Sequence, residues 1–140
     1  MGIRLAQRSI KRLTRKIRHL TRRNSGRSME VILDHLNPVI VGWTNYFALA
    51  DAKEHMRRFD EHLRRRLRQI MWKQWKTPAN RHRNLRALGV SEFWAIRAGG
   101  TSKGYWRLSA SPPLHKALNK TFWMQLGLKS FLQQYQLRHT

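Results

Sequence analysis

The sequence predicts an all-α fold, a compact, strongly basic helical bundle of about five to seven helices. Apolar residues recur at spacings of three and four along most of the chain, the period of a helix packed on one side, and no sustained alternation of period two marks a strand. Runs rich in Leu, Arg, Lys, Gln and Ala are separated by short Gly, Asn, Ser and Pro signals, with no internal repeat and no low-complexity segment. With 41% hydrophobic residues, six Trp and five Phe in 140 residues, the chain can bury a core.

The first helix is predicted from about Ile3 to Arg22, with Ile3, Ile10, Leu13, Ile17 and Leu20 as its inner face and Asn24, Ser25 and Gly26 as its break. Ser28 is a candidate N-cap for the second, with Glu30 in the first turn where the helix dipole favours a carboxylate. Asn37-Pro38 reads as a bend with a fresh cap, so a third helix should run from Pro38 to about Ala50 and bury Val39, Ile40, Trp43, Tyr46, Phe47 and Ala50. Next comes the longest pattern, Ala52 to Lys76, with Met56, Phe59, Leu63, Leu67 and Ile70 as a narrow apolar stripe.

Thr77-Pro78 ends that helix, and a short basic one should follow from Asn80 to Leu88, closed by Gly89. Ser91 caps another from Glu92 to Ala98, before a loop from Gly99 to Gly104. Ser111 with Pro112-Pro113 starts a final helix through Leu114, Leu118 and Phe122, closed by Gly127, and a tail helix follows from Ser130 to Leu137. The domain reading is a basic N-terminal helix and loop over 1–27, packed as one unit with a helical domain over 28–140.

Charge points to the partner. Twenty-nine Lys and Arg face 7 Asp and Glu, a formal charge of +22, and self-repulsion of that size weakens a compact state unless a polyanion neutralises it. Nucleic acid is the default polyanion. Arginine, which outnumbers lysine, grips phosphate in two places and stacks on bases. The candidate RNA-binding residues are Arg12, Lys16 and Arg23; Arg57, Arg58, Arg64, Arg65, Arg68, Lys73 and Lys76 of the long helix; Arg81, Arg83 and Arg86; and Arg107. Two tryptophans join them. Trp72 falls beside Arg65, Arg68 and Lys76 on the helical wheel and could stack on a base, the competing reading being that it packs on the helix that follows. For Trp106, beside Arg107, both readings stand equal. Glu54 with Arg58, Asp60 with Arg64 and Glu61 with Arg65 are spaced as helical ion pairs.

Other chemistries find no residues. There is no cysteine, the seven histidines are scattered, and neither a metal-ligand spacing nor a nucleophile elbow occurs, so no catalytic residue, metal or cofactor is expected. Without an apolar span or a signal-like run, the expected setting is soluble, cytoplasmic or inside an organelle, not secreted and not on a membrane.

Several motifs carry a resemblance: Leu36-Asn37-Pro38-Val39-Ile40-Val41-Gly42-Trp43-Thr44-Asn45-Tyr46-Phe47, Trp72-Lys73-Gln74-Trp75-Lys76, Leu88-Gly89-Val90-Ser91, and Trp106-Arg107-Leu108-Ser109 with Ser111-Pro112. In this order, from about Ser9 to Phe131, the chain resembles the maturase-specific domain, also called domain X or the thumb, of group II intron reverse transcriptase/maturases. The resemblance implies a helical, non-enzymatic module that binds intron RNA and helps it reach its splicing-active fold. Two positions depart from the family: Val41 stands where a basic residue is common before Gly-Trp, and Ala98-Gly99-Gly100-Thr101 is less basic than usual. The paired aspartates of the polymerase palm are absent. A free-standing domain, the product of a split or decayed reverse transcriptase/maturase reading frame that works with a separately encoded palm, and a cut piece of a longer protein all remain open readings. A structural, ribosomal-type RNA protein and basic helices acting on anionic membranes are the readings of other classes.

Overall fold

The computed structural model describes residues 5–22, 26–101 and 104–139. Among these, nine helices and no strand occur: α1 (Gln7–Leu20), α2 (Met29–Phe47), α3 (Lys53–Gln74), α4 (Pro78–Ala87), α5 (Glu92–Gly99), α6 (Tyr105–Leu108), α7 (Pro112–Ala117), α8 (Lys120–Leu126) and α9 (Phe131–Arg138). The protein is all-α. No helix among the described residues is long and apolar enough to cross a membrane. The expectations placed on Ile3, Arg23, Asn24, Ser25, Ser102 and Lys103 lie outside the described residues.

Two compact units form, one from residues 1–63 and 126–140, the other from Arg64–Gln125. The first packs α2 against α1 and α9. Leu13 and Ile17 of α1, Leu36, Ile40 and Phe47 of α2, Met56 and Phe59 of α3, and Phe131 of α9 are buried in it. Each fully buried Leu, Ile or Phe contributes about 1.5–3 kcal/mol. Phe59 stands at the centre of the aromatic packing, its ring centroid 6.2 Å from Phe47 and 5.5 Å from Phe131.

Capping follows the sequence in several places. Ser28, Ser91 and Ser130 accept bonds from the backbone N–H groups of Val31, Trp94 and Gln133. Asn37-Pro38 is different: it neither caps nor starts a helix, because α2 passes through Pro38 without a break. An interior proline costs roughly 3 kcal/mol. Burial on both sides of it, at Leu33, Leu36 and Ile40, exceeds that cost. The Asn37 amide serves elsewhere, donating to the Gly127 carbonyl at 2.8 Å and accepting from Lys129 N–H at 2.9 Å.

Three further corrections come from packing. Tyr46, expected inside, is 66% exposed, and Val39 and Trp43 are only partly covered. The expected final helix through Phe122 is two, because Asn119 breaks it and caps α8 through Phe122 N–H. Asp60 does not serve Arg64: it is buried, and its carboxylate accepts from Ser130 Oγ, Phe131 N–H and Leu132 N–H at 2.6, 2.7 and 3.0 Å, capping α9 from a distance. Tyr135 of α9 then donates to the Ala50 carbonyl and accepts from Ala52 N–H, closing the turn between α2 and α3.

The second unit packs α4 on α5 and both on α7. Leu67, Ile70, Trp72, Leu85, Ala95, Leu114, Leu118 and Trp123 are buried there. Gly99 is the close-approach position, since a Cβ on it would lie 3.1 Å from the Pro78 carbonyl oxygen. Where a helix end usually takes glycine, α3 closes with Lys76 at φ 60°.

Candidate nucleic-acid interface

The acids are divided unequally between the units. Six of the seven lie in the first, and Glu92 is the sole acid from Arg64 to Gln125. That carboxylate is already held, 2.8 Å from His82 Nε2 and 3.2 Å from Arg86 Nε. Lys76, Arg83, Arg97, Arg107, Lys116 and Lys120 of the same unit are exposed. A surface so poor in carboxylates attracts anions from solution.

The α3 arginines divide by where their side chains go. Arg65 lies 3.8 Å from the Trp106 ring centroid and donates to the Trp106 carbonyl at 3.1 Å and to Ser109 Oγ at 3.2 Å. Arg68 is 4% exposed and donates to the Ser109 carbonyl at 2.7 Å. Burial first, then Arg64 and Arg65, push its pKa down to about 10, so it stays charged at neutral pH. Together Arg65 and Arg68 fasten the turn from Trp106 to Ser109. Arg64 is half-buried. Burial, then Arg68, Arg64 and Arg65, hold the His115 imidazole below its ordinary pKa.

Trp72, Arg68 and Arg81 are therefore corrected as surface candidates. Trp72 is 1% exposed, which leaves no ring face for a base. The reading in which it packs on the following helix is the observed one: Arg81 of α4 donates to the Trp72 carbonyl at 3.0 Å and places its guanidinium 4.7 Å from the indole. Arg81, 9% exposed, also lies 5.6 Å from the Tyr105 ring. Of its neighbours, Arg86 is engaged with Glu92 and the Val90 carbonyl, while Arg83 bonds Asn80 Oδ1 and remains exposed. Lys73 is half-buried and Lys76 exposed.

In the first unit Arg12 and Lys16 are exposed on α1, and Arg12 reaches over the Trp43 ring at 5.8 Å. Arg57 and Arg58 are exposed and share Glu54, at 2.5 and 3.7 Å. The Arg57 hydrogen bond holds the Glu54 carboxyl below its usual range and raises Arg57 in return. Exposed pairs of this kind stabilise little, so both arginines can exchange Glu54 for a phosphate.

Sequence reasoning passed over Trp94 and Arg97. They line a cleft of about 440 Å³ in the second unit, with Thr101, Arg107, Ser111 and Pro112 at its walls. The signal was present in the i, i+3 spacing of an aromatic and a cation on α5, ahead of a glycine loop. Trp106, 39% exposed, rests on Arg65, and Arg107 next to it faces the cleft.

The sequence matches the family described as "Group II intron, maturase-specific domain" over residues 10–89. That span covers most of α1, all of α2 to α4 and the Asn37-Pro38 and Trp72-Lys76 motifs, and stops short of the Trp106-Arg107-Leu108-Ser109 segment. Comparison with curated proteins returned no match. With more than half of its length matched, this chain belongs to the group II intron maturase-specific domain family.

Proposed function

We propose that this chain binds group II intron RNA and assists its folding and splicing, without catalysing a reaction itself. The observation that carries the reading is the acid-poor second unit, whose one carboxylate is held within the protein while several cations face solvent. Lys76, Arg83, Arg97 and Arg107, with Arg12, Lys16, Arg57 and Arg58 of the first unit, are the residues proposed to grip phosphate. By binding the compact RNA more tightly than the open one, such a surface shifts the population toward the splicing-active form. The paired aspartates of a polymerase palm are not among these 140 residues, so any polymerisation would come from residues outside them.

Binding is tested on a group II intron RNA and an equal-length unrelated structured RNA across a salt series, with splicing read in parallel. Contacts to about 7 phosphates give a slope of log affinity on log salt of about −5 to −6. Preference for the intron at physiological salt, together with faster splicing, supports the reading. A slope near zero, or equal affinity for both RNAs with no effect on splicing, overturns it.

A further inference from the structure

The cleft on the second unit sets an exposed indole and an apolar floor, which the phosphate-gripping reading does not require, beside two of its cations. Its rim carries Trp94, a large ring 49% exposed where burial would be the ordinary fate of an indole. The Arg97 guanidinium lies 5.0 Å from the Phe93 ring centroid and 6.0 Å from that of Trp94, so a cation is already oriented at the aromatic edge. Arg107 lines the same cleft and is exposed to solvent. The floor is apolar, formed by Ala98, Leu108 and Pro113.

We infer that this cleft receives one unpaired RNA nucleotide, its base stacked on Trp94 and its flanking phosphates held by Arg97 and Arg107. The inference rests on the RNA-binding reading above and adds a substrate class to it, single-stranded rather than duplex RNA. A cleft of about 440 Å³ lies within the size range of small-ligand sites. An α5 face built only to meet phosphates would have no use for an exposed indole, whereas a splayed base offers an apolar face of matching shape. Bases within a duplex are already stacked and cannot enter a concave site without being extruded. An acidic peptide would satisfy the two arginines and leave the indole without a partner.

The test uses the full chain, a ten-residue oligouridylate and an equal-length RNA duplex, with Trp94→Ala, Trp94→Phe and Arg107→Gln. Trp94→Ala should weaken oligouridylate binding about 5- to 150-fold with an unchanged salt slope, and Trp94→Phe should restore much of the loss. Arg107→Gln should reduce the slope by about 1. Duplex binding should change less than twofold in both Trp94 variants. Oligouridylate affinity within twofold of wild type in Trp94→Ala overturns the inference, as does equal displacement of the RNA by oligoglutamate. If Trp94→Ala does not fold, Trp94→Leu, which keeps an apolar side chain without a ring face, decides: oligouridylate affinity within twofold of wild type overturns it. Wild-type protein that ignores intron RNA would instead overturn the reading beneath it.

Discussion

Arg68→Met and Arg68→Glu remove the same guanidinium but leave different groups against the Ser109 carbonyl. In the wild type, a bond from a charged donor to that carbonyl spans 2.7 Å in a buried setting, and Ser109 itself is fully buried. Such a bond contributes about 1.5–3 kcal/mol. Burial, then the neighbouring Arg64 and Arg65, push the Arg68 pKa down to about 10, so desolvation and like-charge repulsion oppose what the bond contributes. Methionine abolishes both and leaves one carbonyl unpaired, and the expected net destabilisation is about 1–2 kcal/mol. Glutamate keeps a buried charge and turns an acceptor toward an acceptor, which should cost about 3–5 kcal/mol. Urea unfolding followed by circular dichroism and by tryptophan emission measures both. RNA affinity of the folded Met variant should keep the wild-type salt slope, because Arg68 is not offered to phosphate. Equal destabilisation by the two substitutions, or a slope reduced by about 1 in Arg68→Met, would refute the placement of this residue inside the fold.

Asp60→Ala removes three bonds to the start of α9 and should destabilise the first unit by about 3–5 kcal/mol, seen as a lower urea midpoint and faster hydrogen exchange at Phe131 and Leu132; a midpoint within error of wild type would contradict the capping role. His115 should titrate below the ordinary histidine range in an NMR series, and Arg64→Gln should move it back upward. Because its folded pKa is the lower one, the unfolded chain takes up the proton first, and stability falls as pH drops through the ordinary value toward the folded one. A midpoint at the ordinary histidine value would contradict the depression, and an unchanged midpoint in Arg64→Gln would show that Arg64 does not act on it.

Local patterns were legible wherever one neighbouring turn decided the outcome. The stripe from Met56 to Ile70 is buried as its period demanded, and Ser28 and Ser91 cap where a hydroxyl precedes a helical run. The long helix ends within two residues of its expected limits, at Lys53 and Gln74. The division of the α3 arginines was not legible, because a helical wheel shows which residues share a face and not what covers that face. Arg64, Arg65 and Arg68 look alike in sequence, yet the segment Trp106–Ser109, some forty residues on, supplies the carbonyls that draw two of them inward.

Family membership, the all-α class and the excess of cations could be read before any folding, since all three are properties of composition, periodicity and ordered motifs. That Trp72 is core while Trp94 is surface, that Asp60 caps α9, and that Asn37 holds the Gly127 to Lys129 segment instead of starting a helix depends on segments brought together by packing. One rule covers all three. A side chain's partner is chosen among all groups within reach in space, and the strongest one, a buried carbonyl or an orphan helix N–H, lies far away in the chain.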